Sequence, residues 1–135
     1  MNPSFLFNPN YIRRDELLDI ESRFWDDEEN DDDIVEVEIP LEALELLFAE
    51  KFIDPHSRQN YSPSAHEFLQ FMRKYPNVVA HGYAVSPYRD DYRISIEGLM
   101  VEPEDVTPAL RADFELLCQN ADVLDLQGEL YSWWD

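Results

Sequence analysis

Residues 78–101 read VVAHGYAVSPYRDDYRISIEGLMV. Two apolar-rich runs flank the polar segment SPYRDD, and in the second run Tyr92, Ile94 and Ile96 alternate with Arg93, Ser95 and Glu97. That two-residue period marks a strand with one buried face, so the stretch predicts an antiparallel hairpin over 78–101. Placing Ser86 opposite Asp91 pairs Val85 with Tyr92, Tyr83 with Ile94 and His81 with Ile96. In that register His81 points to the core side of the sheet.

Working outward, Ser64 and Glu67 have the spacing of a capping box ahead of Phe68, Phe71, Met72 and Tyr75, Ser62 with Pro63 offers a second start for the same helix, and Pro76 stops it. On the other side, Thr107 and Pro108 supply a cap and first turn for a helix bearing Leu110, Phe114, Leu117 and Cys118. Short strands are expected near 123–126 and 130–134, separated at Gly128. Towards the N-terminus, Val35, Val37 and Ile39 alternate with Glu36 and Glu38 as in a strand. Pro40 then opens a helical stripe of Leu41, Leu44, Leu47 and Phe48. Leu17, Ile20 and Phe24 predict an amphipathic helix over 13–25, and residues 1–12 an extended arm. The element order lacks regular βαβ alternation and predicts an α+β fold, an antiparallel sheet around the central hairpin covered by about four helices. A length of 135 residues fits one domain.

Charge is the dominant compositional fact. Thirty Asp and Glu against ten Lys and Arg leave a formal charge of −20. The excess is uneven: residues 1–50 carry 16 acids and 3 bases, 51–100 carry 5 and 6, and 101–135 carry 9 and 1. Such a charge argues against direct nucleic-acid binding, which neutralises phosphates with Lys and Arg, and against an anionic membrane surface. It favours a basic protein surface as partner. Residues 26–33, DDEENDDD, place seven acids in eight positions and predict a solvated acidic loop.

A calcium reading of that loop fails, because Asp32 stands where an EF-hand-like loop requires glycine and a strand follows in place of a helix. His56, His66 and His81 have no zinc spacing, and no CxxC or HxxxH pair supports a metal. With Gly82, Gly98 and Gly128 as its only glycines, the chain lacks a phosphate-cradling loop and a nucleophile elbow. No catalytic residue, cofactor or metal is predicted, and binding is favoured over catalysis. The single cysteine, Cys118, excludes an internal disulfide and fits a reducing, cytoplasmic setting. No apolar run is long enough to span a bilayer.

The predicted partner-binding residues are Asp26, Asp27, Glu28, Glu29, Asp31, Asp32 and Asp33 of the loop, Tyr88 and Arg89 at the hairpin tip, and Trp134. Tyrosine, tryptophan and arginine are the residues enriched at binding hot spots. The competing expectation at the tip is that Arg89 or Arg93 pairs with a nearby acid. The expected function is an acidic interaction protein: an inhibitor, an immunity protein or a nucleic-acid mimic engaging a basic protein. The alternative is a small-ligand or catalytic site around His81, Tyr83 and Arg93, in the charge-neutral middle of the chain. Self-association through the terminal strands is open, though −20 per subunit resists it.

Overall fold

The structure, a computed structural model, describes residues 5–135; the first four residues of the predicted arm lie outside it. Five strands, β1 (Ile34–Ile39), β2 (Val79–Val85), β3 (Ile94–Val101), β4 (Val123–Asp125) and β5 (Leu130–Trp133), form one antiparallel sheet in the order β1-β2-β3-β5-β4. Four α-helices accompany it: α1 (Tyr11–Leu18), α2 (Leu41–Ala49), α3 (Ala65–Lys74) and α4 (Pro108–Leu117). The fold is α+β.

One face of the sheet is buried. Val37, Ile39, Ala80, Ala84, Ile94, Ile96, Leu99 and Val101 join Leu44 and Leu47 of α2, Phe68, Leu69 and Met72 of α3, and Leu110 and Phe114 of α4 in a single cluster. Both predicted caps form. Ser64 Oγ accepts from the Glu67 N–H at 3.2 Å while the Glu67 carboxylate accepts from the Ser64 N–H at 3.1 Å. Thr107 Oγ1 accepts from the Leu110 N–H at 3.1 Å.

The helix predicted over 13–25 is two pieces. α1 stops at Asp19, which adopts the left-handed conformation at φ 59°. The Ile20 N–H reaches back to the Asp15 carbonyl at 2.8 Å, closing the helix as a Schellman-type end. A 3-10 turn over Ser22–Asp26 follows. The reversal has a tertiary cause: it returns Trp25 to α1, where its Nε1 donates to the buried carboxylate of Asp15 at 2.8 Å. Arg14 Nε donates to the same carboxylate at 3.0 Å, and its Nη1 to the Val85 carbonyl at 2.8 Å. Its guanidinium lies 4.8 Å from the Tyr92 ring centre. α1 is thus bolted to the base of the hairpin.

The hairpin register differs from the expected one. Val85 N–H bonds to the Arg93 carbonyl, and the pairs are Ala84 with Ile94, Tyr83 with Ser95 and Gly82 with Ile96. The turn is one residue longer than SPYRDD implies, and a one-residue slip exchanges the faces. Beyond a bulge at His81 and Gly82, His81 pairs with Gly98 and leaves Glu97 as the extra residue. His81 therefore lies on the face away from the core, contrary to the expectation.

Candidate functional site

The acidic loop over 26–33 joins the 3-10 turn to β1, and its seven carboxylate residues are all exposed. It is held against the hairpin tip. Ser86 Oγ donates to the Asp31 carbonyl at 2.5 Å, Ser86 N–H to the Asp33 carbonyl at 3.1 Å, and Arg89 Nη1 to the Asp32 carbonyl at 3.2 Å. Tyr88 OH donates to Asp26 Oδ1 at 3.0 Å. Apart from that tyrosine contact and turn-closing bonds within the loop, the ties from the hairpin use backbone carbonyls and leave the carboxylates to solvent.

Cations are spent elsewhere. Arg13–Glu50, Arg14–Asp15, Arg23–Glu21, Arg58–Glu67, Arg73–Glu45, Lys74–Asp113, Arg89–Asp91 and Arg93–Asp91 are the ion pairs among the described residues. None includes an acid of the loop. At the tip, the pairing expected as an alternative to partner contact is present: Asp91 accepts from Arg89 at 2.7 Å and from Arg93 at 3.0 Å. These guanidinium bonds, Arg89's foremost, hold the Asp91 carboxyl below its ordinary range. Tyr88 stays 55 % exposed and, bonded to Tyr11 and Asp26, keeps its phenol proton well above the usual range.

Trp134, predicted as a surface anchor, is 1 % exposed and packs against Phe68 at 5.7 Å in the core. Trp133 faces outward in its place. The signal lay in strand parity: Leu130 and Trp134 share the core face, Tyr131 and Trp133 the other.

That other face holds a cleft of about 470 Å³ lined by Glu36, Glu38, His81, Glu97, Met100, Tyr131 and Trp133, with β1 and β2 backbone between. His81 and Tyr131 stack with centroids 4.9 Å apart and planes 6° from parallel. Since His81 Nε2 lies 2.7 Å from the Ser132 carbonyl, Nε2 carries a proton in that contact. A Cβ at Gly98 would overlap this carbonyl and sit 2.7 Å from His81 Nε2, so only glycine leaves room for the ring. Trp133 Nε1 donates to Glu97 at 3.2 Å. Burial first, then the charges of Glu97, Glu36 and Glu129, raises the Tyr131 phenol. Tyr83 and Arg93 do not line this cleft; they bond to each other at 2.9 Å.

Among the described residues no group of three His, Cys, Asp or Glu is placed to hold a metal, and no helix is long and apolar enough to cross a membrane. Comparisons of the chain with family models, curated proteins and solved structures find no match.

Proposed function

We propose that the protein binds a basic protein through the exposed carboxylates of 26–33, with Tyr88 beside them as an aromatic contact. The observation that carries this reading is the partition of charge. Among the described residues eight of the ten Lys and Arg form ion pairs, none of them with a carboxylate of the loop, which Arg89 reaches only at the Asp32 carbonyl. A field left unneutralised at one end of the sheet accelerates encounter with a cationic surface, and an aromatic contact then slows release. Inhibitor, immunity protein and nucleic-acid mimic are three forms of this activity. Duplex DNA competes with the protein for its partner only in the last.

The test begins with capture from native cells at low salt and elution in a salt gradient. Association of the purified partner is then followed against ionic strength for the wild type and a variant with every acid of 26–33 changed to its amide. The wild-type on-rate should fall steeply with salt, and the variant should associate at least tenfold more slowly. An on-rate indifferent to both changes overturns the reading.

A second reading, a small-ligand site on the open sheet face, is favoured by the cleft beside His81, whose volume lies in the range of small-molecule pockets. A small cation that raises the melting temperature of the wild type but not of Trp133→Ala would support it; no such ligand in a broad screen would count against it.

A further inference from the structure

β1 is an outer strand of the sheet, and among the described residues no strand pairs with its second edge. The Ser86 N–H to Asp33 carbonyl bond extends the β1–β2 ladder by one step and fixes its alternation. The Asp33 carbonyl and the backbone groups of Val35, Val37 and Ile39 turn towards β2, and Ile34, Glu36 and Glu38 turn theirs away. The Ile34 N–H is satisfied locally by Asp33 Oδ1 at 2.8 Å. Among the described residues neither Glu36 nor Glu38 makes a main-chain hydrogen bond on that outward side.

The space beside this edge is shaped on both faces. On the core side a groove of about 530 Å³ separates β1 from the end of α1 and the 3-10 turn, lined by the apolar Leu18, Ile20, Phe24 and Val35 and by the acids Asp19, Glu21, Glu36 and Glu38. On the open side lies the cleft of Glu36, Glu38, Glu97, Tyr131 and Trp133. Among the described residues none of its three carboxylates is in an ion pair.

We infer that an extended segment of the basic partner adds to the sheet along β1, with its cationic side chains over the open-face cleft and its apolar ones in the groove. An added strand sends successive side chains to opposite faces. Both faces carry carboxylates, but only the groove adds the aliphatic walls of Leu18, Ile20 and Val35, so the occupant is a segment in which Lys or Arg alternates with apolar residues. Lysine and arginine suit the open face twice over, pairing with Glu36 and Glu38 and lying against the aromatic rings. A second copy of the chain is the wrong occupant, since it would bring further carboxylates against Glu36 and Glu38. Acids on an edge strand discourage that self-pairing. The inference rests on the basic-partner reading and adds which backbone the partner touches and what sequence pattern it carries there.

The experiment uses the whole chain and two synthetic peptides of equal composition, one alternating lysine and valine, the other with its lysines and valines in separate blocks. Hydrogen exchange of individual backbone amides is measured by NMR with and without each peptide. The alternating peptide should slow exchange of the Glu36 and Glu38 amides at least tenfold, and the block peptide should not. Methylating the backbone nitrogens of the alternating peptide at every second position should abolish protection in one of the two phases and spare it in the other. Binding of both peptides without protection of Glu36 and Glu38 overturns strand addition and leaves the acidic-face reading standing. Equal protection by the two peptides, or no binding by the alternating one, also overturns it. Failure of the basic-partner reading is seen separately, in the salt dependence of association with the captured partner.

Discussion

Changing Asp15 to asparagine tests what fastens the acidic loop to the sheet. Asp15 is fully buried and Arg14 is 1 % exposed. The carboxylate accepts from Arg14 Nε and Trp25 Nε1, whereas Arg14 Nη2 has no partner among the described residues. Asparagine keeps the size, offers a single acceptor oxygen and removes the counter-charge paired with the guanidinium. Removing one member of a buried pair costs about 3–5 kcal/mol, because the surviving charge stays desolvated. Leaving one donor without its acceptor is worth about 1–3 kcal/mol and is contained in that figure. Against a total stability of about 5–15 kcal/mol, the loss is large. Replacing both members, Arg14→Met with Asp15→Leu, removes the stranded charge and should cost less than Asp15→Asn alone.

Urea unfolding followed by far-ultraviolet circular dichroism supplies the free energies, with the denaturant slope checked for constancy. Limited proteolysis gives a local readout, since a Trp25 released from Asp15 should expose 26–33 to cleavage well below the melting temperature. A cost below about 1 kcal/mol for Asp15→Asn, or a double variant as unstable as the single one, would refute the account of the bolt.

Gly98→Ala should lower the melting temperature, because its Cβ meets the Ser132 carbonyl and the His81 ring; a cost of about 1–3 kcal/mol or more is expected, and an unchanged melting curve would contradict the packing described. The Glu67 carboxyl is held below its ordinary 4.5, first by the Ser64 N–H and then by the hydroxyl of Ser64 and by Arg58. A lowered folded value stabilises above the unfolded one and is lost as pH falls through it. The stability deficit of Glu67→Gln should therefore be full at neutral pH and shrink as pH falls below 4.5 and through the lowered folded value; urea midpoints measured from neutral pH into acid decide it. Burial pushes the Cys118 thiol up to about 11, so a disulfide reagent should label the native protein only at the rate of its opening. Rapid labelling in native buffer would contradict that burial.

Local signals in the chain carried the helix caps, the hairpin and the terminal strands. Ser64 with Glu67 and Thr107 with Pro108 act within one turn, so neighbouring residues suffice to specify them. The face that His81 takes depends on the hairpin turn, and SPYRDD does not reveal that Val85 pairs with Arg93. The break after Leu18 answers to Trp25 reaching Asp15, a contact that no apolar period encodes. The open-face cleft needs Glu36, His81, Glu97 and Trp133 from four strands, and their union is set by pairings between distant segments. Outward strand parity marks each of them singly, but not their meeting.

The distribution of charge separates what holds the fold from what is free to act. Arg13–Glu50, Arg73–Glu45 and Lys74–Asp113 tie neighbouring helices together or fasten the chain beyond them, and Arg89 and Arg93 close the hairpin on Asp91. The loop over 26–33 takes part in none of this and is restrained chiefly by hydroxyls and backbone carbonyls. Its seven like charges repel one another in the folded state and gain no compensating ion pair. Amide substitutions in 26–33 should therefore leave the fold intact and raise its stability at low salt, while slowing association with a basic partner. Stability and binding moving in opposite directions is the signature of charge retained for recognition. If the same substitutions lowered stability, the acids would be serving the fold, and the field would lose its claim to a separate role.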